Sequence, residues 1–233
     1  MKGNGYLAYR LLLAVDIQAY SKRDTREQLL AQQYLSDALD RAARGVGLNR
    51  ALWDKQVGGD GELATLPVGV DPAPVAGDFA IELAARLREI NGDGEAGPPL
   101  RVRLALHHGT LTAGPFGPAG DAPIVVQRLL DSAPLRRLLN DGRDRDLAYV
   151  VSDSLYEDVV QTGFCSLPPT EFEPIRVKAK GTTFRGHIFT GRARDGGVDG
   201  WGERDGPDDR PARPGTVLAF PRLVGSAPES SAG

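Results

Sequence analysis

The feature that most constrains this chain is the apolar run YRLLLAVDI over residues 9–17, which ends at Asp16-Ile17. A continuous apolar run of this kind is typical of a strand buried on both faces. A second aspartate, Asp60, lies 44 positions further on in the stretch GGDG, which is a hairpin signal between two short strands. One carboxylate therefore ends a buried strand, and another lies in a tight turn.

The elements predicted around these two aspartates follow a recognisable order. A strand over 6–16 precedes a helix over 25–44, a hairpin of strands over 51–57 and 62–66, a helix over 76–90 and a strand over 100–109. This order matches the ferredoxin-like βαββαβ pattern of an α+β fold, with an extra helix and strands after it. In that pattern the end of the first strand lies beside the turn between the second and third strands. Asp16 and Asp60 are therefore predicted to meet in space.

The elements predicted further along the chain are shorter. They are a helix over 124–139 broken at Pro134, a strand over 147–151, a helix over 154–160 with a capping box from Ser154 to Glu157, and strands over 176–178 and 185–190. We interpret residues 1–192 as one domain. Residues 193–233 are rich in Gly, Asp, Arg, Pro and Ser and have too little apolar surface to offset their ordering entropy, which predicts a mostly disordered tail.

Composition narrows the classes of partner and compartment. The net charge of −3 gives no general attraction for nucleic acid or an anionic membrane. No apolar run approaches the roughly 20 residues of a membrane-spanning helix, and the N-terminus lacks a cleavable signal pattern. The single cysteine, Cys165, excludes an intramolecular disulfide. We therefore expect a cytoplasmic protein with neither nucleic acid nor a membrane as partner.

Two carboxylates at one edge of a sheet suggest a chemistry. Carboxylate oxygens suit hard cations such as Mg²⁺ or Mn²⁺, and two such ions about 3.5–4 Å apart can clamp the attacking and leaving oxygens of a phosphoryl displacement. The backbone N–H groups of residues 17–21, where the strand passes into a helix start, suit phosphates. Either aspartate alone is more often an ordinary turn or helix-entry residue, so their pairing is what favours a functional interpretation.

Five motifs, in chain order, resemble those of class III nucleotidyl cyclases. They are Asp16-Ile-Gln-Ala-Tyr-Ser21, Gly59-Asp60, Arg101-Val-Arg-Leu-Ala-Leu-His-His-Gly109, Val126-Gln-Arg128-Leu129 and Lys180-Gly181. The resemblance covers residues 6–191 and implies a homodimer with shared active sites. It also implies metal-dependent conversion of a nucleoside triphosphate into a 3′,5′-cyclic nucleotide and pyrophosphate.

The resemblance assigns roles to particular residues. Asp16 and Asp60, assisted by the Ile17 carbonyl, would hold two Mg²⁺ or Mn²⁺ ions. Arg128 would stabilise the pentavalent transition state at the α-phosphorus bound by the partner, and Lys180 would contact the triphosphate. The remaining substrate-binding positions would be Gln18, Ala19, Tyr20 and Gln56.

The chain departs from the family's pattern at several of these positions. Gln56 stands where the family has a base-reading lysine, and the neighbouring Lys55 should point to the opposite face of its strand. The second base-reading position falls near Gly117, and Ile124 stands where the family has an asparagine that contacts the transition state. These departures predict an unusual base preference.

Two other interpretations stay open. The first is a catalytically degenerate cyclase fold that acts as a dimeric nucleotide-binding or regulatory module, because the asparagine is missing at Ile124. The second is a diguanylate cyclase, because GGDGE over residues 58–62 is similar to the GG[DE]EF signature. Leu63 stands in the place of the phenylalanine of that signature, and the HHG and Arg128-Leu129 motifs fit class III better.

Overall fold

The structure is a computed structural model that describes residues 6–92, 97–141 and 145–191. The tail predicted over 193–233 lies outside the described residues, so the domain boundary at residue 192 stays a prediction. No helix in the described part of the chain is both long and apolar enough to cross a bilayer.

One mixed sheet organises the domain. Its main path runs in the order β2-β3-β1-β4-β6-β8-β7, and β5 pairs with the end of β4. The strands are β1 (Ala8–Ile17), β2 (Asp54–Val57), β3 (Gly61–Thr65), β4 (Val102–Gly114), β5 (Gly117–Ala119), β6 (Leu147–Ser152), β7 (Phe172–Ala179) and β8 (Thr182–Phe189). Among the strands of the described residues, only β4 and β6 pair in parallel; the other neighbours are antiparallel. The order β2-β3-β1-β4 confirms the predicted ferredoxin-like core.

Helices cover both faces of this sheet. They are α1 (Thr25–Gly45), α2 (Pro72–Pro74), α3 (Ala80–Gly92), α4 (Asp121–Leu130), α5 (Ala133–Asp141) and α6 (Asp153–Leu155). Single π-helical turns, Val75–Phe79 and Tyr156–Val160, precede α3 and follow α6. Alternate residues of β1 enter two separate cores: Leu13 and Val15 pack with α1 and α3, whereas Leu12 and Ala14 pack with α4 and α5. Because β1 is buried on both faces, its sequence is a continuous apolar run rather than an alternating one.

Helix α1 shows why these residues form a helix here. Asp24 caps it: its side chain accepts a hydrogen bond from the Glu27 N–H at 2.9 Å, and Glu27 accepts one from the Asp24 N–H at 3.0 Å. This reciprocal capping box satisfies two backbone donors that the first turn leaves free. The buried stripe of α1 has helical spacing and consists of Ala31, Leu35, Ala38, Leu39, Ala42 and Ala43.

Two predicted details are wrong. The break in the helix over 124–139 falls at Asp131 and Ser132, between α4 and α5, rather than at Pro134. Pro134 lies in the first turn of α5, where a residue without an N–H is tolerated. The cap of α6 is Ser152, whose hydroxyl accepts from the Leu155 N–H at 3.3 Å, rather than Ser154.

Candidate functional site

The sheet brings the two aspartates to one edge. Asp16, the second-last residue of β1, pairs with Gly61 of β3 on one side and with Arg103 of β4 on the other. The Ile17 N–H donates to the Asp60 carbonyl at 2.7 Å. The Asp16 side chain lies on the sheet face covered by α4 and α5, because it alternates with Val15 and Ile17, which pack toward α1.

Arg103 binds the carboxylate of Asp16 with two parallel hydrogen bonds. Its Nε donates to Asp16 Oδ1 at 2.8 Å, and its Nη2 donates to Asp16 Oδ2. Both side chains are largely buried, with 12% and 13% of their surfaces exposed. Such a bidentate guanidinium–carboxylate pair is among the strong hydrogen-bonded contacts in proteins.

The electrostatics of Asp16 reflect both burial and its neighbours. Burial raises the pKa of Asp16 to about 6, although the guanidinium of Arg103 lowers it; the charges of Asp60 and Asp131 raise it further. The effect of Asp60 shows that the two carboxylates are electrostatic neighbours. At neutral pH Asp16 is ionised and paired with Arg103.

The turn that carries Asp60 depends on a glycine. A Cβ added at Gly61 would lie 1.9 Å from the Val15 carbonyl oxygen, which is backbone and cannot give way without moving β1. Gly61 therefore allows β3 to approach β1 closely enough to place Asp60 beside Ile17. Asp60 itself is exposed.

A cavity of about 770 Å³ lies between α1 and the β2–β3 hairpin. Asp60 borders it, together with Lys55 and the ion pair of Arg50 and Glu62, but Asp16 does not. A volume of this size is within the usual range for small-molecule sites. The two aspartates thus adjoin different surroundings, a cavity on the α1 side for Asp60 and an ion pair on the opposite side for Asp16.

Gln56, which was predicted as a substrate-binding residue, makes a contact within the chain. Gln56 pairs with Leu63, which packs on the α4 side, so Gln56 lies on the same face as Asp16 and opposite Lys55. Its side-chain amide donates to the Phe116 carbonyl at the tip of the β4–β5 hairpin. The prediction that Gln56 and Lys55 face opposite sides agrees with this register.

The backbone amides predicted to bind phosphates are partly used by the sheet. The Ile17 N–H donates to the Asp60 carbonyl, and the Gln18 N–H donates to the Arg101 carbonyl at 2.8 Å. That part of the prediction is wrong for these two groups. Over the described ranges, the amides of Ala19, Tyr20 and Ser21 have no such partner, and Ala19 has a positive φ of 56° that begins the turn. 

Side chains in the same segment are tied to other elements. The Gln18 amide donates to Asn140 Oδ1 at 2.6 Å, which joins the end of β1 to the end of α5. The Tyr20 hydroxyl accepts from Gln32 of α1 at 2.6 Å, and Gln32 also donates to the Gly59 carbonyl at 2.6 Å. Tyr20 and the hairpin are thus held through one glutamine.

The other predicted residues lie at varying distances from the aspartates. Arg128 is half-buried on α4, two residues before Leu130, whose carbonyl accepts from Arg103 at 3.1 Å. Ile124 lies one turn earlier on α4 and is 49% exposed. Lys180 lies in the β7–β8 turn with a positive φ of 49°, toward the other end of the sheet.

Arg103 was not predicted as a residue of the site. A signal was available, because Arg101 and Arg103 alternate with apolar residues along a strand predicted to neighbour the first. Knowing the register Asp16–Arg103 would have indicated the ion pair. The register itself depends on tertiary pairing, which the spacing of residues along the chain does not fix.

The donor set does not fit a pair of divalent ions as these side chains lie. Both oxygens of Asp16 already accept from a cation, and a metal ion there would have to displace Arg103. Asp60 is the one predicted carboxylate not held in this way. Among the described residues, no group of three or more His, Cys, Asp or Glu side chains is placed to hold a metal.

Comparison with known proteins defines the class of fold. The chain is similar to an adenylate/guanylate cyclase/hydrolase from Silicibacter pomeroyi, with 21% identity and a TM-score of 0.57 over 82% of this chain and 99% of that one. It is also similar to the guanylate cyclase domain of RhGC from Catenaria anguillulae in complex with GTP, with 20% identity and a TM-score of 0.55 over 82% and 100% of the chains. For the guanylyl cyclase Cya2 the values are 14%, 0.55, 82% and 96%.

No family model and no curated protein matches the chain. The structural likenesses nevertheless span nearly the whole length of each cyclase domain. The chain therefore has a class III nucleotidyl cyclase-like fold, as its motifs predicted.

Proposed function

We propose that this chain is a nucleotidyl cyclase that binds a nucleoside triphosphate and forms a 3′,5′-cyclic nucleotide and pyrophosphate. The observation that carries the proposal is the placement of Asp16 and Asp60 at one sheet edge, joined by the hydrogen bond from Ile17 to Asp60, in a cyclase-like fold. Two of the similar structures were solved with a nucleotide, GTP in one and ATPαS in the other. A cytoplasmic location belongs to the same proposal.

The proposed reaction is an in-line displacement. The ribose 3′-oxygen forms a bond to the α-phosphorus, the bond from that phosphorus to the bridging oxygen of the β-phosphate breaks, and the hydroxyl proton passes to solvent. Negative charge develops on the phosphoryl oxygens, where a cationic side chain such as Arg128 is worth roughly 10³–10⁵ in rate in comparable phosphoryl transfers. Lys180 would neutralise charge on the triphosphate.

The proposal includes two metal ions and a homodimer. In the cyclase resemblance, Asp16, Asp60 and the Ile17 carbonyl hold two Mg²⁺ or Mn²⁺ ions. Here that requires Arg103 to leave Asp16. The homodimer is supported by the resemblance and by the position of Lys180, which lies too far from Asp16 to serve its own chain.

A second candidate is a nucleotide-binding or regulatory module without catalysis. Two observations favour it: the ion pair that occupies Asp16, and the apolar, half-exposed Ile124 at the position where the family has an asparagine. A lost neutral donor of that kind costs roughly 10²–10³ in rate by analogy with oxyanion-hole donors. A cyclase with this substitution should be slowed rather than inactive. Measurable formation of a cyclic product therefore separates a slow cyclase from a module without catalysis.

The test is incubation of the purified chain with ATP, GTP, CTP and UTP in turn, with Mn²⁺, followed by mass spectrometry. We expect a cyclic product from at least one nucleotide. Asp60→Ala and Arg128→Ala should each abolish it, whereas Arg137→Ala, an exposed arginine on α5, should not. Mixing the two inactive variants should restore part of the activity if the sites are shared. No product from any nucleotide, with triphosphate binding still measured by calorimetry, would favour the regulatory module.

A further inference from the structure

The surroundings of Arg103 form a site built for a cation. Besides the two hydrogen bonds to Asp16, its Nη1 donates to the Leu130 carbonyl at 3.1 Å and lies 3.9 Å from Asp131 Oδ1. Asp131 is in turn 3.0 Å from Arg136. Oxygen atoms from β1, from the last residue of α4 and from the residue that follows it therefore converge on one guanidinium.

These ligands are of the type that a divalent metal ion would use. Carboxylate and carbonyl oxygens are the usual protein ligands of Mg²⁺ and Mn²⁺. A guanidinium and a metal ion cannot share both oxygens of Asp16, since the geometry is bidentate and two cations a few ångströms apart repel strongly in a largely buried site. Occupancy of Asp16 by Arg103 and by a metal ion is thus mutually exclusive.

We propose that Arg103 is the resident cation of the Asp16 site, supplying there the positive charge that a metal ion supplies in the cyclase resemblance. A divalent ion then binds through Asp16 only when Arg103 is displaced or removed. This inference rests on the proposed function only in treating Asp16 as part of the nucleotide site, and it concerns metal binding without nucleotide.

The proposed replacement of a metal ion by a guanidinium applies to Arg103 and not to the nearby Arg101. Arg101 directly precedes β4, two positions before Arg103, but donates to the Leu139 carbonyl at 2.9 Å. It offers a matched control, because its removal takes away the same charge two positions from Arg103 without freeing Asp16.

The test is a titration of the full chain with Mn²⁺ alone. Binding is measured as the loss of the free Mn²⁺ signal in electron paramagnetic resonance. The single variant Asp16→Asn should give the same titration as the original protein, because Asp16 does not bind the ion while Arg103 is present. Arg103→Ala should gain a site at least tenfold tighter than any in the original protein. Adding Asp16→Asn to Arg103→Ala should remove that site, and Arg101→Ala should behave as the original protein does.

A second variant, Arg103→Gln, is included in case Arg103→Ala does not fold. Arg103→Gln keeps hydrogen-bond donors near Asp16 without the charge, and circular dichroism checks that each variant is folded. Tight Mn²⁺ binding by the original protein that Asp16→Asn abolishes would overturn the proposal. So would folded Arg103→Ala and Arg103→Gln proteins that gain no site. If neither variant folds, the comparison of the original protein with Asp16→Asn decides alone. Failure of cyclisation would leave these titrations unaffected.

Discussion

Contacts of single residues at one end of the strands determine the positions and partners of Asp16 and Asp60. The positions of Asp16 at a strand end and of Asp60 in a turn could be predicted, because one ends an apolar run and the other lies in a glycine-rich stretch. The partner of Asp16 could not, because a hydrogen bond between Asp16 and Arg103 joins residues 87 positions apart. The pattern along one strand says which face a residue occupies, but the residue opposite is set by the register of the sheet.

Gly61 is the residue on which the position of Asp60 depends. Gly61→Ala should destabilise the fold by about 3 kcal/mol, because its Cβ would overlap the Val15 carbonyl of the neighbouring strand. Gly58→Ala is the matched control in the same turn, since the nearest atom to its added Cβ is 3.5 Å away. Chemical denaturation of both variants measures the difference. Equal midpoints would show that the close contact of β1 and β3 does not limit this turn.

His107 should make the fold sensitive to acid. Its ring is buried and hydrogen-bonded through Nδ1 to Ser152 Oγ at 2.8 Å. Burial, helped by the charge of His108, lowers the pKa of His107 to about 4 from 6.5. The unfolded chain therefore binds this proton more readily between pH 6.5 and 4, and stability falls as the pH is lowered through that window. At about 1.4 kcal/mol per pH unit, the loss is roughly 3 kcal/mol.

The check is denaturation of the original protein and His107→Gln between pH 7 and 4. Asp16 acts in the opposite direction between about pH 6 and 4, because its raised pKa favours the protonated folded state as the pH falls. The difference between the two proteins isolates His107, and we expect the variant to lose less stability in acid. Identical pH dependence in both would contradict the prediction.

At the scale of elements, long and strongly patterned segments were predictable and short ones were not. The apolar run of β1 and the stripe of α1 gave both elements nearly correct bounds. The three-residue β5 was missed because it exists only through its pairing with β4. The predicted strand over 51–57 begins instead with a 3-10 turn, Arg50–Leu52, and becomes a strand at Asp54. Local turns of this kind depend on buried contacts that the spacing of apolar residues does not encode.

The contact that anchors this turn is an ion pair beneath the hairpin. Arg50, with 6% of its side chain exposed, lies 2.6 Å from Glu62 of β3 and also pairs with Asp40 of α1. The pair therefore ties the hairpin that carries Asp60 to the first helix. It also lines the cavity between them.

Arg50→Ala should destabilise the protein by about 3–5 kcal/mol, because it leaves Glu62 buried and without its cation. The double variant Arg50→Met/Glu62→Leu should recover most of this loss, since it removes both charges and restores volume. Arg41→Ala, which breaks a pair with Asp37 that is 52% exposed on both sides, should cost less than 1 kcal/mol. Thermal and urea unfolding measure all three. A loss below 1 kcal/mol for Arg50→Ala would show that the hairpin does not depend on this pair.

At the scale of the whole molecule, the sheet separates two residues that the proposed reaction needs together. Asp16 pairs with Arg103, and Arg103 pairs with Ala148 of β6. The next residue of β6, Tyr149, pairs with Phe189, which is the last residue of β8. From Phe189 back to Thr182, β8 spans roughly 23 Å at about 3.3 Å per residue, and Lys180 lies beyond Thr182 in the β7–β8 turn. One chain cannot place Lys180 on a triphosphate held at its own Asp16.

A role for Lys180 therefore requires a second copy of the chain, and this can be tested by complementation. We expect Lys180→Ala and Asp60→Ala each to weaken triphosphate binding at both sites of a dimer. A mixture of the two variants should regain one intact site per heterodimer, because one chain supplies Asp60 and its partner supplies Lys180. Lys178→Ala, in the same hairpin, is the control and should bind as the original protein does. Calorimetry gives the number of sites, and light scattering gives the mass. A monomer that binds nucleotide with full affinity, or a mixture that regains no site, would rule out the shared arrangement and leave Lys180 as a surface residue of the hairpin.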